Sequence, residues 1–414
     1  MLKKVIIVGS DEAGMSAAIS SFLSGKTQVY LITKTYDPVP FISRFKGYPI
    51  SFYPKISPKC INVILGSENV ELFPKEKTVV VRTKSEESHI SYNSIILSTG
   101  VTPITPLIEG IGKRGVYNLW RISVRNIDLS KASKVVIYGA GIRAINAAET
   151  IAKMGKKVLI VDENKEILLH LLDPSMALKI RKYLEAKGIK FELESKIERV
   201  LGYDEVTGVE IRGAFYETDK LLIDLGVTPN SRILKRAGGK TGVYNGIVVD
   251  DYLMTTLPNV LAAGGCCELL NLGLNIRKPI PLKCVAKRSG LIAGINAIRG
   301  RYLPAKFVRN IVTILDDLEL ISVGGTKYEA ERHGVSYEEV KIDTEYAQVS
   351  ILLSLSGAIL GVQMVGKYIL PLVNPISILI KEGATLNSFL HLDLSLPYKT
   401  SNILNIIMKE ALKR

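Results

Sequence analysis

Cysteine is scarce in this sequence of 414 residues, which contains Cys60, Cys266, Cys267 and Cys284. None of the four forms a C-x-x-C pair, which argues against a zinc ribbon or a thioredoxin-like motif. Four cysteines also do not make a disulfide framework for a chain of this length. The four histidines are isolated from one another and from acidic residues at metal-ligand spacing, so no metal site is predicted.

Long blocks of one charge are also missing. The chain carries 54 Lys and Arg against 40 Asp and Glu, a net charge of +14, but no Lys/Arg block is long enough to form a nucleic-acid arm. We therefore interpret the charge as a generally basic composition and predict no nucleic-acid partner. The first predicted strand begins at Lys3 or Lys4, which leaves no room for a signal peptide and predicts a cytoplasmic location.

A single uncharged stretch could be mistaken for a membrane span. Residues 346–366, "YAQVSILLSLSGAILGVQMVG", contain no charged side chain and are long enough to cross a bilayer. Ser354, Ser356 and Gly357 place a turn signal in the middle, between two runs of strand length. A buried or interface-facing β-hairpin is therefore predicted, and no transmembrane segment.

The clearest motif present is a β-α-β unit at "SKVVIYGAGIRAINAAETIAKMGKKVLIVDENKEIL". A strand at 135–138 leads into the glycine turn, a helix is predicted over 145–154, and a second strand covers 157–161. The turn carries Gly139, Gly141 and Ala144 in the G-x-G-x-x-[GA] spacing that places a pyrophosphate on a helix N-terminus. Asp162 ends the second strand, where an acid binds the adenosine ribose and favours NAD(H) over NADP(H).

A second copy of this unit opens the chain at "KKVIIVGSDEAGMSAAIS". Gly9 and Gly14 stand at the outer glycine positions, but Asp11 replaces the central glycine and Thr33 stands where the ribose-binding acid belongs. Each copy is followed by an apolar strand that returns to the same sheet, "SYNSIILSTGVTP" with Thr99-Gly100 and "DKLLIDLGVTPN" with Leu225-Gly226. A third return, "LPNVLAAGGCCELL", contains Gly264-Gly265.

Together these features resemble the FAD-dependent pyridine nucleotide-disulfide oxidoreductases. The segments "AGMSAA", "FISRFKGYPISF", "LLDPSMALKIRKYLEAKGIKF", "SVGGTKYEAERHG" and "LHLDLSLPYKTS" resemble the CoA-disulfide reductase/NADH oxidase branch, in the same order along the chain. The resemblance implies an α/β fold with two Rossmann-like domains and a C-terminal α+β domain. It implies an FAD-binding domain at 1–113 and 243–307, an inserted NAD-binding domain at 114–242, and a dimerisation domain at 308–414 that would form a homodimer.

The same resemblance shows where this chain departs from the branch. Lys46 occupies the place of the redox-active cysteine in "SRFKGYP", and an ammonium cannot attack a disulfide. Thr33 and Gly265 stand where two carboxylates usually bind FAD, and Asp11 adds a charge beside the diphosphate. These changes leave bound and lost FAD about evenly balanced, with bound FAD slightly favoured because the Gly9/Gly14 turn and Thr99-Gly100 persist.

Other cysteines could replace the missing nucleophile. Cys266 and Cys267 follow the third return and are expected to begin a helix aimed at the flavin, and Cys284 opens a further helix beside it. A helix N-terminus lowers the pKa of a thiol, which makes Cys266 and Cys284 weak redox candidates. The interpretation we favour is that these cysteines fill core space.

Two functional hypotheses follow from these observations. In the first, which we favour, the chain is an FAD-dependent enzyme that oxidises NAD(P)H without the redox cysteine. In the second, it is a non-catalytic homologue that serves as a partner subunit or as an NAD-responsive binding protein. The catalytic residues, the electron acceptor and any protein partner are not indicated by the sequence.

Overall fold

The computed structural model describes residues 2–34 and 61–413 of the chain. Its strands, numbered in chain order, are β1 Lys3–Val8, β2 Thr27–Ile32, β3 Ile61–Ile64, β4 Asn69–Phe73, β5 Thr78–Arg82, β6 Glu87–Ser91, β7 Ser94–Leu97, β8 Val101–Pro103, β9 Val116–Asn118, β10 Lys134–Tyr138, β11 Lys157–Val161, β12 Lys190–Glu192, β13 Ile197–Leu201, β14 Gly208–Ile211, β15 Ala214–Glu217, β16 Lys220–Ile223, β17 Val227–Pro229, β18 Ile247–Val248, β19 Val260–Ala262, β20 Cys267–Asn271, β21 Ile276–Lys278, β22 Asn310–Leu315, β23 Leu318–Gly324, β24 Glu338–Asp343, β25 Ala347–Leu353 and β26 Ile359–Gly366.

The α-helices of the described residues are α1 Glu12–Leu23, α2 Ile142–Lys153, α3 Pro174–Glu185, α4 Arg232–Arg236, α5 Lys283–Arg299, α6 Lys327–Arg332, α7 Val373–Lys381 and α8 Tyr398–Ala411. Short 3-10 helices lie at Val124–Asn126, Gly264–Cys266, Leu370–Leu372 and Leu386–His391. None of the described helices combines the length and the apolar composition that crossing a bilayer requires.

The chain divides into two compact units. Unit 1 consists of residues 1–102, 228–271 and 275–307, and unit 2 consists of 103–227, 272–274 and 308–414. The finer division expected from the sequence, with separate NAD-binding and dimerisation domains, stays a prediction.

Unit 1 is built on a five-stranded parallel sheet in the order β19-β7-β1-β2-β3. Residues 5–8 of the central strand β1 are apolar and buried, as expected of a parallel sheet covered on both faces. Helix α1 begins four residues after β1 ends, so the turn between them lies at the carboxyl edge of the sheet. This confirms the first predicted β-α-β unit.

Unit 2 contains a matching parallel sheet in the order β12-β11-β10-β16-β9. Its central strand β10 is followed by α2, as α1 follows β1. The predicted second unit is confirmed, but α2 begins at Ile142, three residues before the predicted start. The last residues of the glycine motif therefore already belong to the first turn of the helix.

Unit 2 also contains a three-stranded antiparallel sheet, β13-β14-β15, and a five-stranded antiparallel sheet in the order β22-β23-β26-β25-β24. Strands β25 and β26 form the predicted hairpin, with Ser350 opposite Gln363. Nearly all residues of both strands are buried, so the uncharged stretch forms core rather than an exposed interface. Ile403 and Ile407 of α8 are also buried in this core.

Close packing of two helices holds the glycine turn of unit 1 in place. A Cβ atom on Gly290 of α5 would lie 2.0 Å from the backbone oxygen of Ala13 in α1. A Cβ atom on Gly294, one helical turn further, would lie 2.0 Å from Ser20 Oγ. Only glycine allows the two helix backbones to approach this closely.

We predict that Gly290→Ala lowers the free energy of unfolding by about 1–3 kcal/mol, the cost of overpacking a rigid contact. Urea unfolding followed by circular dichroism measures the change. The control is Gly112→Ala, because a Cβ atom on Gly112 meets no atom within 4 Å. Equal stability of the two variants would show that α1 and α5 can move apart to admit the Cβ atom with no loss of folding free energy.

Candidate functional site: two glycine turns

The turn of unit 1 depends on a backbone contact that excludes side chains. Gly9 has φ of +113°, and a Cβ atom on it would lie 2.0 Å from the backbone oxygen of Ser98. The Gly9 N–H donates to Ile32 O at 2.9 Å, and the Ser98 N–H donates to Val8 O at 2.8 Å. A Cβ atom on Gly14 would lie 1.8 Å from Gly9 O, so α1 is pressed against the turn.

The turn of unit 2 repeats this geometry. Gly139 has φ of +111°, and its Cβ atom would lie 2.2 Å from the backbone oxygen of Asp224. The Gly139 N–H donates to Val161 O at 2.7 Å, and the Asp224 N–H donates to Tyr138 O at 2.8 Å. Ser98 and Asp224 are therefore structurally equivalent residues. Both turns have the backbone shape that fits a dinucleotide pyrophosphate.

Asp162 lies at the end of β11, where the sequence predicts a ribose-binding acid. It is buried, and its Oδ2 accepts a hydrogen bond from the Ala140 N–H at 2.6 Å. Its Oδ1 accepts from the backbone and side-chain amides of Asn164, at 2.8 and 2.7 Å. The carboxylate is thus held beside the turn by three hydrogen bonds.

The side chains around the turn of unit 1 differ from this arrangement. Thr33 follows β2, and its hydroxyl lies 2.7 Å from Ser10 Oγ. Asp11 is the N-cap residue of α1, but its side chain makes no capping hydrogen bond. Its Oδ2 instead lies 3.5 Å from the position of a Cβ atom on Gly100, so the carboxylate points across the mouth of the turn.

Thr99 and Gly100 are brought to the same edge of the sheet. The Thr99 hydroxyl donates to Asn230 O at 2.5 Å, and the Asn230 N–H donates to Gly100 O at 3.0 Å. Gly264 has φ of +83°, and its N–H donates to Ser289 Oγ at 3.0 Å. The backbone of this site is therefore well ordered by hydrogen bonds.

Gly265 stands where the resemblance noted from the sequence implies a second carboxylate. A Cβ atom on Gly265 would lie 2.9 Å from Val101 Cγ1 and 3.5 Å from Pro281 Cβ. An acidic side chain therefore has no room here unless Val101 moves. The backbone of this turn has the shape of a pyrophosphate-binding turn, whereas Thr33 and Gly265 stand where the resemblance implies carboxylates.

The structure corrects the expectation for Cys266 and Cys267. They do not begin a helix: Cys266 ends the 3-10 helix Gly264–Cys266 and Cys267 begins β20, because Cys267 pairs with Ile247 of β18. Both thiols are buried, and the Cys266 thiol donates to Ala263 O at 3.2 Å. Burial raises the pKa of the Cys267 thiol well above its usual value, whereas the hydrogen bond with Cys267 lowers the pKa of the Cys266 thiol to about 7.

Cys284 does open a helix, as predicted. It is the second residue of α5 and is exposed. Lys46 and Cys60 lie outside the described residues. Within the described residues, no group of three or more His, Cys, Asp or Glu side chains is placed to hold a metal ion.

Sequence reasoning missed one cluster at the turn of unit 2, formed by Trp120, Arg143 and Asp224. The Asp224 Oδ2 accepts a hydrogen bond from the Ala144 N–H at 3.1 Å. The Arg143 guanidinium lies over the Trp120 ring, 3.2 Å from its centroid. Aligning the segments that follow the two returning strands, "STGVTP" and "DLGVTP", would have shown that Asp224 corresponds to Ser98.

This pair of glycine turns on matching parallel sheets has a known counterpart. The family model described as pyridine nucleotide-disulphide oxidoreductase matches residues 3–290. The chain belongs to this family, whose members bind FAD and NAD(H).

The chain is similar over most of its length to several members. It is 27% identical over 396 residues to an NADH oxidase of Methanocaldococcus jannaschii, covering 88% of this chain and 87% of the relative. It is 26% identical over 424 residues to an NAD(P)H coenzyme A polysulfide/persulfide reductase of Pyrococcus horikoshii, covering 95% and 94%.

The fold is shared with solved structures. The water-forming NADH oxidase of Lactobacillus brevis, bound to NADH, matches with a TM-score of 0.85 and 22% identity, covering 99% of this chain and 98% of that one. These comparisons confirm the predicted family and the predicted α/β fold.

We predict that Asp162→Ala lowers the free energy of unfolding by about 1–3 kcal/mol, because it leaves the Ala140 N–H without its charged acceptor. Chemical denaturation at pH 7 measures the loss. The matched control is Asp204→Ala, which removes an exposed carboxylate of the same unit. If both variants lose the same small amount of stability, Asp162 does not hold the turn.

Proposed function

We propose that this chain is an FAD-dependent oxidoreductase that oxidises NADH and transfers electrons without a cysteine at position 46. The observation that carries the proposal is the repeated glycine turn. Gly9 and Gly139 have φ values of +113° and +111°, and neither can accept a Cβ atom. Two turns of this shape provide one backbone cradle for each dinucleotide.

FAD, when bound, accepts a hydride from a nicotinamide and releases the electrons to an acceptor. The residues of this chain contribute the binding sites. Gly9, Gly14 and Gly264 give the first dinucleotide its backbone approach, and Gly139 and Gly141 do so for the second. Asp162 provides the carboxylate for a ribose hydroxyl, which favours NAD(H) over NADP(H).

Lys46 argues against disulfide substrates. A thiolate is the nucleophile in thiol–disulfide exchange, and an ammonium cannot take its place. Of the described cysteines, the two in the third return are buried, and only Cys284 is exposed. The acceptors that fit this chemistry are those that take electrons directly from a reduced flavin: oxygen, a quinone or a carrier protein.

A second candidate function is a non-catalytic family member that acts as a binding partner. It is favoured by the altered FAD anchors, since Thr33 is paired with Ser10 and Val101 fills the space beside Gly265. Under this proposal the fold persists while the flavin is lost.

We also propose that segment 308–414 joins two copies of the chain in a cytoplasmic homodimer. This proposal rests on the family resemblance. Ile378, Tyr398 and Leu412 of this segment are exposed, which offers apolar surface to a second copy.

The absorption spectrum of the purified protein tests the proposed function. We expect a flavin spectrum in near-stoichiometric amount that is bleached by NADH under anaerobic conditions. Gly14→Ala should remove the flavin, because its Cβ atom would lie 1.8 Å from Gly9 O. A colourless protein that takes up no added FAD supports the non-catalytic function.

A separate experiment tests whether NADH oxidation requires the exposed cysteine. Cys284→Ser is expected to retain NADH oxidation within about twofold of the unmodified chain, because an exposed thiol outside the proposed electron path is not required. Steady-state oxidation of NADH with a quinone acceptor, before and after alkylation with iodoacetamide, gives the measurement. Loss of activity in the variant would assign the redox role to this thiol.

A further inference from the structure

Asp224 lies beside the glycine turn of unit 2, at the N-terminus of α2. It directly follows β16, and β16 pairs in parallel with β10, with Ile223 opposite Tyr138. The residue after β16 is therefore placed beside Gly139, the residue after β10. The backbone of Asp224 closes the turn, and its side chain extends over the start of α2.

The carboxylate of Asp224 is bound to the helix N-terminus. Ala144 is the third residue of α2, and its N–H is one of the first four amides, which have no acceptor within the helix. This N–H donates to Asp224 Oδ2 at 3.1 Å. The same oxygen lies 3.1 Å from the position of a Cβ atom on Gly141, the N-cap residue.

A carboxylate in this position is an anion placed where the dinucleotide motif places a pyrophosphate. Negative charge at a helix N-terminus is stabilised by the helix dipole and the free N–H groups, whether it comes from a phosphate or from a side chain. Asp224 is 9% exposed, so the position is also largely closed to water. Its burial raises the pKa of the carboxyl above its usual value.

The groups around Asp224 act on the pKa of its carboxyl in both directions, and burial is the largest effect. The nearby Arg143 guanidinium and the Ala144 N–H both lower the pKa of the carboxyl, and Asp162 raises it. The buried Trp120 Nε1 forms no hydrogen bond of good geometry within the described part of the chain, but it is close enough to lower the same pKa. Arg143 stacks on the Trp120 ring, which fixes the cation beside the turn.

At the equivalent position in unit 1, an uncharged serine, Ser98, replaces the aspartate. Ser98 makes the same backbone hydrogen bond, but its hydroxyl donates to Val8 O at 3.0 Å and to Gly9 O at 3.1 Å. It adds no charge and takes no N–H of α1. At this position unit 1 therefore carries a neutral hydroxyl, whereas unit 2 carries a carboxylate that accepts from the N-terminus of its helix.

We propose that Asp224 acts as an internal competitor of the NADH pyrophosphate, so that the nucleotide binds unit 2 only by displacing this carboxylate from the Ala144 N–H. Asp224 is thus a residue that sets the affinity of the nucleotide site. As far as NADH is the ligand, the inference rests on the proposed function. The occupation of the anion position by Asp224 does not.

The test replaces Asp224 with serine, because Ser98 stands at the equivalent position of unit 1. Trp120 is the only tryptophan of the chain and contacts the cluster, so its fluorescence reports binding directly. We expect Asp224→Ser to bind NADH at least about tenfold more tightly than the unmodified chain, and to gain binding of inorganic pyrophosphate. Asp224→Asn keeps the shape of the side chain without its charge, and its affinities should lie between the two.

The matched control is Asp219→Ala. Asp219 is also a carboxylate that accepts backbone hydrogen bonds beside β10, from the Ser133 and Lys134 N–H groups at 2.7 and 2.9 Å, but at the opposite end of the strand. Its affinities for both ligands should stay within twofold of the unmodified chain. Should Asp224→Ser fail to fold, Asp224→Asn carries the test alone, with melting temperature as a second readout of pyrophosphate binding.

The outcomes separate this inference from the proposed function. If both Asp224 variants bind pyrophosphate and NADH no more tightly than the unmodified chain, the inference is overturned, whatever the flavin spectrum shows. If the Asp224 variants gain pyrophosphate binding and no form of the protein binds NADH, the carboxylate does occupy the anion position. The proposed NADH oxidation then fails instead.

Discussion

The close approach of a glycine to the neighbouring strand is the contact on which both units depend. Gly9 meets Ser98, and Gly139 meets Asp224, at distances that no Cβ atom allows. This contact sets the direction in which the chain leaves the sheet and enters the following helix. Because the helix then begins at the carboxyl edge of a parallel sheet, its first N–H groups, which have no acceptor within the helix, face the edge where a dinucleotide phosphate is bound in this type of fold.

Around this shared contact the two units carry different charges. Unit 1 has Asp11 at the N-cap of its helix and Thr33 after its second strand, β2. Unit 2 has Asp162 after its second strand, β11, and Asp224 beside the N-terminus of its helix. Unit 1 therefore has a carboxylate at the helix N-cap and none at the end of its second strand, whereas unit 2 has one at the end of its second strand and one beside the helix N-terminus. Since a helix N-terminus stabilises any anion, each such change shifts the balance between the protein's own side chains and a bound nucleotide.

Much of the fold could be predicted because its signals are local. The apolar strands, the glycines and the returns lie within short segments, and the turn in the uncharged stretch follows from Ser354, Ser356 and Gly357. The expected helix at Cys266 and Cys267 was wrong for a non-local reason. Pairing with Ile247 of β18, distant in the sequence, draws Cys267 into a strand.

By itself, the sequence determined the two β-α-β units, the presence of Asp162, the absence of a cysteine at position 46 and the hairpin within 346–366. Only the tertiary structure decided which side chains meet at the turns. Asp224 lies 80 residues from Ala144 along the chain, and the parallel pairing of β16 with β10 brings its carboxylate to that N–H. Hydrogen bonds of this kind depend on strand order and register, which follow from the packing of the whole sheet.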